Sequence, residues 1–224
     1  MSMKKIGFIL LVLIVAVLMV FFIIRDRDSG IIGEQRIIEL SGDDRTTESI
    51  AELKELNNSS YNEEEAIGHF IKMGFSWKSI ADVTKDNQDY QYAIEAYKKA
   101  EDLAGDTNIL PINNIGLIYE ILGDYALAEE QYLRALDISP AEFDTNKRLF
   151  DLYRYKLDKS PEEIIGLLDR ALARAVEKAP LLQLKAGYLK DTGDYQGALD
   201  IYESLVDNYP QFQVFIDELE DKLK

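Results

Sequence analysis

The chain has 224 residues, a formal net charge of −16 and no cysteine. Without cysteine it can form no disulfide, thiolate nucleophile or thiolate metal site. A chain this acidic repels phosphate backbones, so no nucleic-acid partner is expected.

Residues 1–5 form a short tail with Lys4 and Lys5, and the remainder of the chain beyond residue 24 carries −18. Residues 6–24 are 19 consecutive positions with one glycine and no charged or polar side chain. At the helical rise they reach roughly 28 Å, close to the hydrocarbon thickness of a bilayer. The spacing predicts a single transmembrane helix and hence a single-pass location in the cell membrane. A cleaved signal peptide is the rival reading. Its apolar run is usually shorter and ends at a small-x-small site, whereas this run ends Phe21-Phe22-Ile23-Ile24. Lys4 and Lys5 before the run place the N-terminus in the cytoplasm and the following domain outside, although Arg25, Arg27 and Arg36 leave the bias small.

Residues 25–62 are expected to form an acidic tether. Gly30, Gly33 and Gly42 interrupt it, and a short helix from about Thr47 to Leu56 ends before Asn57-Asn58-Ser59-Ser60. From Glu63 the apolar spacing is helical throughout, with a long leading helix from Glu63 to about Val83. Asp89-Tyr90, Asp124-Tyr125 and Asp194-Tyr195 each open the same pattern, with Ala93, Ala128 and Ala198 three residues after the tyrosine and Tyr97, Tyr132 and Tyr202 four further on. The first two lie 35 residues apart and the third lies two periods beyond the second. An irregular unit fills the gap. Its first helix runs from Asn146 to about Leu157, and its second starts at Ser160-Pro161-Glu162-Glu163 and reaches about Lys178. Ser160 and Glu163 form a capping box around Pro161 at the first helical position. Residues 211–224 place Phe212, Phe215, Ile216, Leu219 and Leu223 on one face, as a terminal capping helix requires.

Gly116, Tyr119, Gly123, Ala128, Tyr132, Ala135 and Pro140 fall where tetratricopeptide repeats carry small, aromatic and helix-ending residues, and this region resembles that family. The fold expected is all-α: a right-handed α-solenoid of about four helix-turn-helix repeats after one N-terminal transmembrane helix. The repeat domain covers 63–210, with units at about 74–107, 109–142, 143–178 and 179–210. The resemblance implies a non-catalytic protein that binds a protein or peptide along the first helix of each repeat. The implied groove residues are Lys78, Asp82, Asn113, Asn114, Lys147, Arg148 and Gln183. Some members clamp a peptide carboxylate with two lysines, two asparagines and one arginine. Lys78, Asn114 and Arg148 stand at three of those places, but Asp82 and Asp144 occupy the other two and repel a carboxylate. Ordinary solvated charge is the competing reading of Lys78 and Arg148. Scaffolding or recruitment is the role implied. A chaperone-like holder of client peptides, or a cytosol-facing docking receptor, is the alternative.

No phosphate loop, dinucleotide fingerprint or metalloprotease motif is present. His69 is the single histidine, and general-base work needs an orienting partner. No enzyme activity, cofactor, metal or small-molecule substrate is expected. The membrane is a partner only through residues 6–24.

Overall fold

The computed structural model describes residues 32–224. All regular structure among them is helical, and the chain divides after Gly105 into two compact units.

Among its described residues the first unit holds four helices: α1 (Glu34–Leu40), α2 (Thr47–Asn58), α3 (Glu63–Thr84) and α4 (Asn87–Ala104). Asn62 starts α3 with a capping box. Its side chain accepts from the Glu65 N–H at 2.9 Å, and the Glu65 carboxylate accepts from the Asn62 N–H at 3.3 Å. Lys85 ends α3 in the left-handed region, at φ 59°. Asp86 then caps α4 by accepting from the Gln88 N–H. The hairpin packs Trp77 and Ile80 of α3 with Ala93 and Tyr97 of α4, all wholly buried. Gly74 lets Tyr97 approach: a Cβ there would meet the ring at 2.5 Å.

Residues 32–58, expected within a tether, are folded onto this hairpin. Ile50 and Leu53 of α2 are buried. Gly33, at φ 69°, lies against the indole of Trp77 so closely that no Cβ would fit. A tether reading fails here because ion pairs far apart in sequence hold α1 down. The Arg36 guanidinium contacts the carboxylates of Asp86 and Asp89, each at 2.8–2.9 Å.

The second unit holds α5 (Leu110–Leu122), α6 (Tyr125–Ile138), α7 (Phe143–Tyr155), α8 (Pro161–Leu172), α9 (Ala179–Thr192), α10 (Tyr195–Val206) and α11 (Gln213–Lys222). Three antiparallel hairpins follow one another, and α11 packs on α10. Gly123 and Gly193 end α5 and α9 at φ 83° and 90°, a geometry that costs a residue with a Cβ about 1–2 kcal/mol. In each turn the N–H two places past the helix reaches back across it: Asp124 to the Tyr119 carbonyl and Asp194 to the Leu189 carbonyl, both at 2.9 Å. One core cluster joins Tyr132 and Leu136 of α6, Leu149 and Leu152 of α7, and Leu167 and Leu168 of α8. A second joins Ala186 of α9, Tyr202 of α10 and Leu219 of α11, with Phe215 stacked on Tyr202 at 5.1 Å.

Ser160 and Glu163 form both hydrogen bonds of the capping box at the start of α8. That helix stops at Leu172, well short of Lys178, and residues 173–178 form a turn. Leu223 is largely exposed rather than inward.

The expected spanning helix is corrected. Among the described residues no helix is long and apolar enough to cross a membrane. The longest of them, α3, has 22 residues but carries Lys72, Lys78 and Asp82 along its length, and such charges are costly in hydrocarbon. Residues 6–24, on which that expectation rested, lie outside the described residues. The fold class that stands is all-helical, without the transmembrane segment. The single-pass cell-membrane location, with its cytoplasmic N-terminus and extracytoplasmic repeat domain, is withdrawn with that segment.

Candidate functional site

The sequence-predicted residues divide between the two units. In the first, Lys78 and Asp82 stand one turn apart on α3 and pair at 2.7 Å. Asp82 also accepts from the Tyr90 hydroxyl at 2.9 Å. Burial, with that carboxylate beside it, pushes the Tyr90 hydroxyl up to about 12. Each predicted donor or acceptor is thus already engaged by a neighbour on its own hairpin.

In the second unit the helices α5, α7 and α9 line two adjoining clefts. The cleft between α5 and α7 measures about 560 Å³, and Asn113, Asn114, Lys147 and Arg148 all line it. Asn114 is nearly buried, and its amide donates to the Leu110 carbonyl at 2.9 Å. Asn113 accepts from the buried Thr145 hydroxyl at 3.0 Å, which ties α5 to α7. Arg148 lies 3.9 Å from Glu120. Burial pushes the Glu120 carboxyl above its usual range, while the Tyr132 hydroxyl at 3.0 Å and Arg148 pull it back. Asp144 sits in the first turn of α7, where the helix dipole favours an anion.

The cleft between α7 and α9 measures about 560 Å³ and is more aromatic. Gln183 and Lys147 line it, with Phe143, Phe150, Tyr155 and Tyr188. Arg154 lies over the rings of Tyr155 and Tyr188 at 5.0 and 5.5 Å and pairs with Asp191 at 2.9 Å. Lys147 pairs with Asp151 at 2.6 Å, and these two residues line both clefts. Of the seven predicted residues, the structure therefore brings together Asn113, Asn114, Lys147 and Arg148 in one cleft, and Lys147 and Gln183 in the next.

Residue-by-residue reading missed the aromatic lining. Its signal is present in the helical period: Phe143, Lys147, Phe150 and Arg154 fall at intervals of four, three and four on α7, and Leu184 and Tyr188 lie four apart on α9.

His69 is nearly buried, with its ring 4.1 Å from Tyr61 and 5.2 Å from Phe70. Burial, helped by Lys72, holds its pKa below the ordinary value. Among the described residues no cluster of histidine and carboxylates is placed to hold a metal ion.

The family model for the tetratricopeptide repeat matches residues 112–142. The match covers most of α5, all of α6 and the turn into α7. It supports the tetratricopeptide resemblance on the stretch where Gly116, Gly123, Ala128 and Tyr132 carry it. Among curated proteins, none matches the chain. Repeats of this kind generally serve as modules for protein–protein interaction, and the match suggests an interaction role here.

Proposed function

We propose that the chain is a non-catalytic scaffold or recruitment protein whose second unit binds an extended or helical segment of a partner protein across α5, α7 and α9. The observation that carries this reading is the pair of adjoining clefts. The α5–α7 floor is aliphatic and the α7–α9 floor aromatic, and the cationic side chains on their rims, Lys147, Arg148 and Arg154, each already face a carboxylate within the protein. Paired rims suit an occupant held by apolar anchors and backbone hydrogen bonds, as a groove that takes peptides requires. We read the repeat units as about 74–107, 109–142, 143–178 and 179–210, and we assign Lys78 and Asp82 a supporting role in the first unit.

Site-specific photo-cross-linking with the full chain tests this. A photoreactive residue at Tyr155 or Gln183 is expected to capture one or two discrete protein partners, and the same probe at exposed Val214 is expected not to. Equal adducts from all three positions would overturn the reading. A ladder of many weak adducts confined to the cleft positions would replace the scaffold by a chaperone-like holder.

A further inference from the structure

A third pocket, of about 410 Å³, opens between α6 and α8 and shares no lining residue with the two clefts. Leu136, Pro140, Leu167 and Ala171 form its apolar surface, and Arg170 and Arg174 stand beside them. Both arginines are exposed. Among the described residues no carboxylate lies within 4.0 Å of either guanidinium.

Arg170 acts electrostatically on the Tyr153 hydroxyl, but the lack of a carboxylate partner is informative because acids are abundant. In residues 106–224 there are 23 acids against 13 bases. Lys147, Arg148, Arg154, Lys159, Lys185 and Lys190 each have a carboxylate partner. Asp137 is the one carboxylate of the pocket lining, on α6, and it engages neither arginine. Arg170, in the last turn of α8, complements the helix dipole, but that role occupies none of its five N–H donors. Gly166 lies one turn earlier, and a Cβ there would sit in ordinary contact with an Arg170 guanidinium nitrogen, at 3.5 Å. Position 166 is also where a glutamate would pair with Arg170 along the helix, and the chain has glycine instead.

We propose that this pocket is a second docking site, and that it takes an acidic segment of a partner protein. An apolar side chain of that segment enters between Leu136 and Leu167, and flanking carboxylates engage Arg170 and Arg174 through two-pronged hydrogen bonds. Both parts are needed. The field of a −16 chain opposes an anionic ligand at long range but is screened beyond about 8 Å at physiological salt, so the apolar anchor holds the segment where short contacts act. This site is separate from the α5, α7 and α9 face, and neither proposal depends on the other.

The probe is a phage-displayed library of random dodecapeptides selected on the full chain. Enrichment of peptides that join a leucine, isoleucine or phenylalanine to nearby aspartate or glutamate is expected. R170A/R174A should weaken the selected peptides at least tenfold. Gly166→Glu should weaken them several-fold by supplying an internal partner for Arg170 while leaving both arginines in place; its gain in helix propensity guards against misfolding. Tyr155→Ala, in the α7–α9 cleft, should leave them unchanged. The proposal is overturned if no acidic-apolar peptides are enriched, if those found are insensitive to Arg170 and Arg174, or if Tyr155→Ala abolishes their binding. Self-association of the full chain that R170A/R174A abolishes would assign the pocket to a second copy and overturn the partner-protein source.

Discussion

Arg36 and Asp89, 53 positions apart, form a two-pronged ion pair. The Arg36 Nε donates to one carboxylate oxygen at 2.8 Å, and Nη2 donates to the other at 3.0 Å. Asp89 is wholly buried and also accepts from the Thr84 hydroxyl at 2.6 Å. Removing one member leaves a buried charge without its main partner, which typically costs about 3–5 kcal/mol. Arg36→Met is therefore expected to destabilise the first unit by about 3 kcal/mol, with Asp89→Asn in the same chain restoring part of the loss. Trp77 is the only tryptophan and lies in that unit, so urea unfolding followed by its fluorescence reads the effect directly.

The sequence held part of this relationship and hid the rest. Asp89, Asp124 and Asp194 open the same motif, and read locally they are equivalent. In the structure Asp194 caps α10 by accepting from the Gly197 N–H, whereas the cap of α4 is Asp86 and Asp89 turns inward. Arg36, with the Thr84 hydroxyl, holds Asp89 inward, and no periodic pattern connects Arg36 to a residue so far away. For the same reason residues 32–58 read as a tether. The features set by neighbours in sequence were legible: the turns at Gly123 and Gly193, the capping box at Ser160 and the helix from Glu63. Of the expected groove residues, Asn113, Asn114, Lys147 and Arg148 line one cleft, but the second cleft was not legible, because its aromatic floor forms only when α7 and α9 pack.

Gly74 and Gly116 admit aromatic rings, and a Cβ at Gly116 would come within 2.8 Å of Tyr132. Both rings are wholly buried and cannot withdraw. Gly74→Ala and Gly116→Ala should each cost about 1–3 kcal/mol. Gly68, also on α3, has open space at its Cβ position, and Gly68→Ala should instead gain about 0.5–1 kcal/mol. Chemical denaturation of the three variants separates close approach from helix propensity.

Lys85 adopts φ 59° at the end of α3, where α5 and α9 use glycine. Lys85→Gly is expected to stabilise the first unit by up to about 1 kcal/mol, because relief of the left-handed strain exceeds the added freedom of the unfolded chain. Gly123→Ala should destabilise by a similar amount. Thermal melts of the pair, compared with wild type, check the opposite signs.

His69 gives a pH dependence. Its folded pKa lies below the ordinary value of about 6.5, chiefly because burial disfavours the charged ring. As pH falls through that ordinary value the unfolded chain takes up the proton first, so stability declines from about pH 6.5 downward. His69→Phe keeps an aromatic ring beside Tyr61 and Phe70, and it should flatten the stability profile below about pH 6.5. An unchanged slope in urea titrations across that range would refute the assignment.

Lys147 and Asp151 line both clefts of the second unit, so α7 works as a ridge between two basins. Packed helix axes lie about 8–10 Å apart, and an extended chain advances about 3.3 Å per residue. A strand-like ligand turns every second side chain to one face, about 7 Å apart, so anchors two positions apart come closest to reaching the two basins. The spacing of anchors in a bound segment is thus written into the helix packing, before any single contact is chosen.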